Sequence, residues 1–467
     1  MQPASGDRLA LGSADVPQEP TSKDLLCYSA RYPDLSAAFG NDTQALLRHW
    51  HRHGRAEHRE VYCEAQKANV QAVGHNTTKS PRVALLNAHM EGNLGDEYET
   101  TPLLRKLADW GAEVDVYSAK WLDPSKQLND HTKENELIWV HKFYTSDQWQ
   151  KGKLPGGVYD MLLCAPGPTM HQCLQKENIE LAASMNATMA VVGTSESRIR
   201  VNVLKRVYNL MPTAESPLRL VIMRDPESFR LAASKLGIKD IYTEGGHLKT
   251  DVSDSHVRLM LSGDLSWSFA PSESALQKWK LTYHERFLAR FGSAEPWYVL
   301  FLRNVAHLRE GSNASHLVLK VLGQDSTMVV PVARTILASS DMTDGGDVSV
   351  MSELQSRLKL AADDIIAPES VEQMLGLLGC LGPNSSLVVI SDRYHPAMAA
   401  GRMETTVKLL GNDDIDAYSS FDAVKMHGAY EMLSNYSSSD ILGLNNAAWS
   451  ALAEEIARPK YSYMKAR

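Results

Sequence analysis

From Arg82 onward the chain alternates short apolar runs with helix-length amphipathic stretches, and no other feature narrows its fold so far. The runs are Val83–Leu86, Val114–Tyr117, Met161–Cys164, Met189–Val192 and Leu218–Met223. Between several of them lie stretches such as Leu103–Trp110, which Gly111 closes. Strands this short and apolar suit burial on both faces, and intervening helices cover a parallel sheet. A second set runs through Trp297–Leu302, Met328–Val332 and Leu387–Ile390, after a long helical stretch at Ser274–Phe291. The pattern predicts an α/β protein of two doubly wound, Rossmann-like domains facing a cleft. Such sheets take ligands at the carboxyl ends of their strands. At 467 residues the chain exceeds one comfortable core, as two domains require.

The rest of the chain divides by composition. Residues 1–23 are polar and rich in Pro and Ser, and read as a disordered leader. Residues 24–63 read as a small helical module, with Tyr28, Tyr32, Leu35, Phe39, Leu46, Leu47 and Trp50 at helical spacings around the Gly40-Asn41-Asp42 turn. A linker at 64–80 leads into the first domain at 81–272, a bridging helix at 273–292, the second domain at 293–440 and a helical tail at 441–467. A net charge of −8 argues against nucleic acid as the main partner. No apolar run is long enough to span a bilayer, and the N-terminus lacks the apolar core of a signal peptide. The five cysteines lack zinc-ligand spacing, although Cys27 and Cys63 flank the module and could bridge it. Six Asn-x-Ser/Thr sequons lean towards a secretory lumen such as the Golgi and leave other organelles or the cytoplasm open.

Three stretches stand where a ligand belongs, just after an apolar run. In EGNLGDEYE, Gly92 and Gly95 let backbone N–H groups approach an anion at a helix N-terminus, with Asn93 and Asp96 beside them. After LRLVIM, Asp225 suits an N-cap, Pro226 the first helical position and Gly237 the end of the helix. Those roles leave Arg224 at the strand end, its planar fork available to a carboxylate or phosphate. After LVVI comes SDRYHP, with Arg393 and His395 at alternate positions of a strand end and Pro396 at a helix start. A guanidinium beside an imidazole there makes an anion site with a proton-transfer group. The run RHWHRHGRAEHR places only His49 and His53 on one helical face, which is poor material for a metal site. Ser195 in VVGTSES lacks a nucleophile-elbow pattern and reads as a strand-end turn.

Taken together, GNLGDE, MRDPES, SDRYHPAMAAG and Lys425 in FDAVKMHG resemble the polysaccharide pyruvyl transferase family over roughly residues 82–440. The resemblance implies a fold similar to two-domain GT-B glycosyltransferases. It implies an enzyme that transfers the pyruvyl group of phosphoenolpyruvate to paired sugar hydroxyls, forming a cyclic ketal on a glycan and releasing phosphate. By the same resemblance Arg224 and Arg393 would hold the donor and His395 would move the proton. Asn93, Gly95 and Asp96 would line the first-domain wall, and Arg303 and Lys425 would add anion contacts. No metal or cofactor is called for. The chain departs from the family pattern at Ala165-Pro166-Gly167-Pro168-Thr169 and at Gly401-Arg402-Met403. Two other readings therefore stand beside the enzyme. One is a catalytically degenerate scaffold that docks a protein partner through residues 24–63; the other is a nucleotide-sugar glycosyltransferase.

Overall fold

The computed structural model describes most of residues 25–50 and 80–458, apart from 89–93, 119–141, 145–152, 165–173, 196–215, 412–420 and shorter stretches. The chain separates into two compact units, 1–78 and 79–467. In the first, helix α1 (Thr43–His49) closes a small core of Leu25, Tyr28, Leu35, Leu46 and Trp50. The His49 ring is held there by the Tyr28 hydroxyl at 3.1 Å, while His53 lies outside the described residues.

In the larger unit the first sheet has eight strands in the order β3-β2-β1-β4-β5-β6-β8-β7. They are β1 (Arg82–Ala88), β2 (Glu113–Ser118), β3 (Lys142–Tyr144), β4 (Met161–Cys164), β5 (Thr188–Thr194), β6 (Leu218–Met223), β7 (Asp251–Ser253) and β8 (Arg258–Leu261). All pairings are parallel except β7 with β8. The first six follow the doubly wound order, which reverses between β1 and β4. Helix α2 (Leu94–Asp109) follows β1, α3 (Lys176–Ser184) precedes β5 and α4 (Pro226–Leu236) follows β6. Asp225 caps α4 by accepting from Ser228 N at 2.7 Å, Pro226 opens it, and Gly237 ends it in the left-handed region (φ 76°).

Helix α5 (Glu273–Phe291) then leads to a second sheet, β13-β12-β9-β14-β15, parallel throughout. Its strands are β9 (Trp297–Phe301), β12 (Thr335–Ala338), β13 (Ile365–Ile366), β14 (Leu387–Ser391) and β15 (Thr406–Leu409), with the order reversing between β9 and β14. The expected two-domain α/β architecture with parallel sheets is therefore present. One strand sits elsewhere. The Met328–Val332 run falls in β11 (Thr327–Pro331), which pairs antiparallel with β10 (His316–Lys320) outside the main sheet. Val329 is exposed there, so β11 is covered on one face only, and the adjacent β12 takes the buried place.

Helices α6 (Asp347–Leu358), α7 (Val371–Leu378) and α8 (Tyr394–Arg402) flank this sheet. Helices α9 (Phe421–Asn435) and α10 (Ser438–Ala457) return to the first domain. Ala448, Trp449 and Leu452 of α10 pack with Val83, Leu163 and Leu220 on one face of the first sheet. On its other face, Met426 and Met432 of α9 join Phe229 of α4. Arg402 at the end of α8 donates to the Tyr98 hydroxyl (2.8 Å) and to the Ser266 carbonyl (3.0 Å), tying the second domain to the first. Cys164 at the end of β4 is disulfide-bonded and Cys380 is a buried free thiol; Cys27 and Cys63 lie outside the described residues.

Candidate functional site

Parallel register builds the centre of the site. Thr194 of β5 lies beside Met223 of β6, so the next residues, Ser195 and Arg224, emerge side by side at the carboxyl edge. Arg224 Nε donates to Ser195 Oγ at 2.7 Å, and Ser195 Oγ donates on to Asp225 Oδ2 at 3.2 Å. Leu261 of β8 also lies beside Met223, which brings the loop Ser262-Gly263-Asp264 to the same edge. Asp264 is locked from α10: Asn445 accepts from Gly263 N and donates to the Asp264 carbonyl, both at 2.9 Å.

From α2, Glu99 reaches this edge and accepts from Arg224 Nη1 with both carboxylate oxygens, each at 2.9 Å. From the second domain, α8 places His395 Nε2 at 2.9 Å from Glu99 Oε2 and at 3.2 Å from Arg224 Nη1. Arg224, Glu99 and Asp264 are fully buried and His395 nearly so. The guanidinium stacks 4.2 Å above the Tyr394 ring, with Lys425 Nζ also within reach of that ring at 5.8 Å. The other face of the imidazole explains Gly95. A Cβ at that position would collide with His395 Nδ1, so only glycine lets α2 approach the ring so closely.

Burial sets the charges. It works against the charge on Arg224, but Glu99 and Tyr394 outweigh it and the guanidinium stays protonated. Burial pushes Glu99 upward, opposed by Arg224. Asp225 is pushed up to about 6 by burial, against the hydrogen bonds from Ser228, and Asp264 to about 6 by burial and by Glu99. Burial drives His395 down to about 3, with Arg224 adding to the effect against the pull of Asp264. His395 is therefore neutral at ordinary pH, and its contact with Glu99 is a hydrogen bond of the imidazole rather than an ion pair. With Nε2–H donated to Glu99, the basic lone pair is on Nδ1, towards the start of α2.

The structure thus brings Arg224, His395, Gly95 and Lys425 into one region built from both domains. Asp96, half-buried in the first turn of α2, acts electrostatically on His395. Arg393 and His395 are not on a strand end as the sequence pattern suggested. β14 stops at Ser391, and the Ser391 hydroxyl accepts from Arg393 N at 2.9 Å. That turn makes Arg393 the N-cap of α8 and puts Pro396 at its third residue. Arg303 is exposed after β9, its backbone N–H donating to Asp392 at 2.7 Å. Asn93 and the loop 165–169 lie outside the described residues.

Asp96, Glu99 and His395 each offer a ligand atom within 4.8 Å of the others, the donor set of a small metal site. Arg224 already holds both oxygens of Glu99, so a cation there would face a buried guanidinium. Glu99 and Asp264 were not singled out from the sequence. Glu99 carries a local signal, standing one helical turn after Asp96 on the same face of α2. Asp264 follows an apolar run, Leu259–Leu261, by the same positional rule that located Arg224.

No family model and no curated protein matches the sequence. Among solved structures, a glycosyltransferase from Rickettsia africae is similar over 82% of this chain and 97% of its own, at 11% identity and a TM-score of 0.41. A putative UDP-N-acetylglucosamine 2-epimerase from Listeria monocytogenes is similar over 82% of this chain and 99% of its own, at 10% identity and 0.39. A transferase from Siraitia grosvenorii in complex with UDP covers 81% of this chain and 100% of its own, at 9% identity and 0.38. Likeness this distant carries no activity over to this chain.

Proposed function

We propose that this protein is a glycan-modifying transferase that works between its two α/β domains, and more specifically a pyruvyl transferase using phosphoenolpyruvate. The supporting observation is Arg224 Nη2, a fully buried guanidinium nitrogen with no acceptor among the described residues, on the arginine whose Nη1 meets His395 of the other domain. An orphaned buried donor is costly, and an oxyanion of the donor substrate would satisfy it. In this reading Arg393, Lys425 and Arg303 supply further positive charge for the phosphate and carboxylate. In the same reading Asp96 faces the sugar.

The chemistry needs two protons moved, one in each step, and no cofactor. A first sugar hydroxyl adds to C2 of the enol while its proton ends on the methylene carbon, giving a ketal phosphate. A second hydroxyl then forms the other C–O bond and phosphate leaves with that proton. His395 Nδ1 would take the hydroxyl proton and deliver it to carbon, with Glu99 steadying the transient imidazolium through Nε2. A trianionic donor alongside raises the imidazole from its depressed resting basicity. Because Arg224 is fully buried, the donor enters when the domains part.

A second reading is favoured by Glu99 itself, which gives Arg224 a built-in carboxylate in place of a substrate anion, as a binding scaffold would. Thermal unfolding with phosphoenolpyruvate and with UDP-sugars, each at millimolar concentration, separates the readings. The transferase reading expects stabilisation by phosphoenolpyruvate, phosphate release in the presence of pyranosides with paired hydroxyls, and a ketal methyl signal by NMR. His395→Ala should abolish the release. Protection by UDP-sugars instead indicates sugar transfer, and protection by neither indicates the scaffold.

A further inference from the structure

Helix α2 belongs to two cores, and Pro102 lies where it passes from one to the other. Before Pro102, Leu94 and Tyr98 join the core of the second sheet with Trp297, Val299 and Phe301. After it, Leu103, Leu104 and Leu107 join the core of the first sheet with Val83, Leu85 and Leu163. The first half is also bonded to the second domain along its length. Leu94 N donates to the Ser340 carbonyl at 3.1 Å, Gly95 lies against the His395 ring, and the Tyr98 hydroxyl accepts from Arg402 at 2.8 Å. Between the halves the helix is weakened. Pro102 has no N–H to give the Tyr98 carbonyl, and its ring crowds that carbonyl. Thr101 turns its hydroxyl back onto the Glu97 carbonyl at 2.8 Å, a bond that favours bending.

The same first half carries Glu99. Both of its oxygens accept from Arg224 Nη1 at 2.9 Å, while Oε2 stands 2.9 Å from His395 of the second domain. We propose that α2 is a proline-hinged plug: its first half moves with the second domain about Thr101-Pro102, and Glu99 stands on Arg224 as an internal carboxylate that an incoming anion displaces. Arg224 and Glu99 are fully buried, so no ligand reaches the guanidinium until the pair separates. Bending at Pro102 separates it while each half of the helix stays in its own core and Glu99 stays with His395. A stiff helix would have to draw Leu103, Leu104 and Leu107 out of the first core to achieve the same opening. Arg224 Nη2, buried and with no acceptor among the described residues, gives the displacing anion a bond that Glu99 does not make. Within the transferase reading, on which this last step rests, that anion is phosphoenolpyruvate. The hinge does not depend on that reading.

Hydrogen–deuterium exchange of the full chain without ligand tests the hinge. Peptides over residues 94–101 should exchange together with those over the start of α8, and at least about tenfold faster than peptides over 103–109. Pro102→Ala restores the missing N–H and should bring 94–101 to within about threefold of 103–109. Glu99→Gln should speed exchange over 94–101 at least about fivefold and leave 103–109 unchanged. Both halves exchanging as one unit in the wild type, or no response to Pro102→Ala, overturns the hinge. Should Pro102→Ala fail to fold, Glu99→Gln decides: loosening of both halves alike overturns it. The plug is read by stopped-flow fluorescence with phosphoenolpyruvate. In the wild type the observed binding rate should level off with rising ligand, because Glu99 must leave first. In Glu99→Gln that plateau should rise at least about fivefold and the dissociation constant should fall. Loss of a nearby charge alone would tighten binding without moving the plateau. Binding by both proteins with one plateau overturns the plug and leaves the transferase reading standing. Failure of both to bind overturns the transferase reading and the displacement at Arg224, and leaves the hinge to the exchange result.

Discussion

The arrangement around Arg224 is a buried ion pair whose partners come from distant parts of the sequence, so its removal is unequal in its two halves. Truncating Glu99 leaves a fully buried guanidinium with no anion bonded to it, which costs far more than the pair contributes. Glu99→Ala should therefore destabilise the protein by about 3–5 kcal/mol in chemical denaturation. Glu99→Gln keeps one acceptor oxygen and should lose about 1–3 kcal/mol. Equal losses for the two would mean that the lost charge, not the acceptor oxygen or the packing, dominates at this position. Gly95→Ala makes a different error, because its methyl group would strike His395 Nδ1. It should shift the imidazole and, under the transferase reading, abolish phosphate release while leaving the unfolding midpoint within a few degrees, since α2 gains a better helix former. Full activity in Gly95→Ala would show that α2 does not need to approach the ring so closely. At this scale the sequence revealed the residues that stand just after apolar runs. Arg224 and Asp225 follow β6 directly, and His395 follows β14 by a single turn. It concealed Glu99 and Asp264, because nothing local says that a helical glutamate will meet an arginine 125 residues later.

Among the elements, the legible ones carry their own punctuation. The Asp225-Pro226 start and Gly237 end of α4 appear where turn chemistry places them, as do Ser272 before α5 and Gly292 after it. α8 was less legible because its start is set by the Ser391 hydroxyl holding Arg393 N, so the helix begins two residues before Pro396. β11 reads as a core strand only until its exposed Val329 is seen. Asp225 does more than cap. It accepts from Ser228 N and from the Ser228 and Ser195 hydroxyls, and Gly428 of α9 packs against it so closely that a Cβ there would strike its carboxylate. Asp225→Ala should therefore cost about 2 kcal/mol, the upper end for a cap, and should perturb Arg224 through Ser195. Asp225→Asn keeps an acceptor for the α4 terminus and should recover at least half of that loss. If Ala and Asn behave alike in urea unfolding, neither the cap acceptor nor the filled volume matters there, and the lost charge carries the cost.

For the whole molecule, the two domains are joined where charges are buried, and this links stability to pH with a definite sign. Asp264 sits at about 6 in the folded chain against 3.8 for the free side chain. The folded state binds its proton more tightly than the unfolded state, so this group contributes no loss below about pH 4 and a growing one as pH rises through 6. Asp225 adds a loss of the same sign over the same window. Asp364, which Arg290 holds below the usual range, works the other way: its contribution is present above about 4 and fades on acidification. The net profile mixes these, so the informative quantity is the difference between Asp264→Asn and the wild type. The Asn variant cannot ionise. Its stability relative to the wild type should rise between pH 4 and 7 by up to about 3 kcal/mol, the linkage equivalent of a shift of about two units. Because the group lies at the junction of α2, α8 and the strand ends, the same slope should appear in domain closure. Hydrogen-exchange protection at the start of α8, taken relative to the intrinsic base-catalysed rate, should fall from pH 5 to 7 in the wild type and stay level in the variant. A difference in stability that does not change with pH, or that falls as pH rises, would mean Asp264 is ionised throughout and that the two domains are held together without its proton.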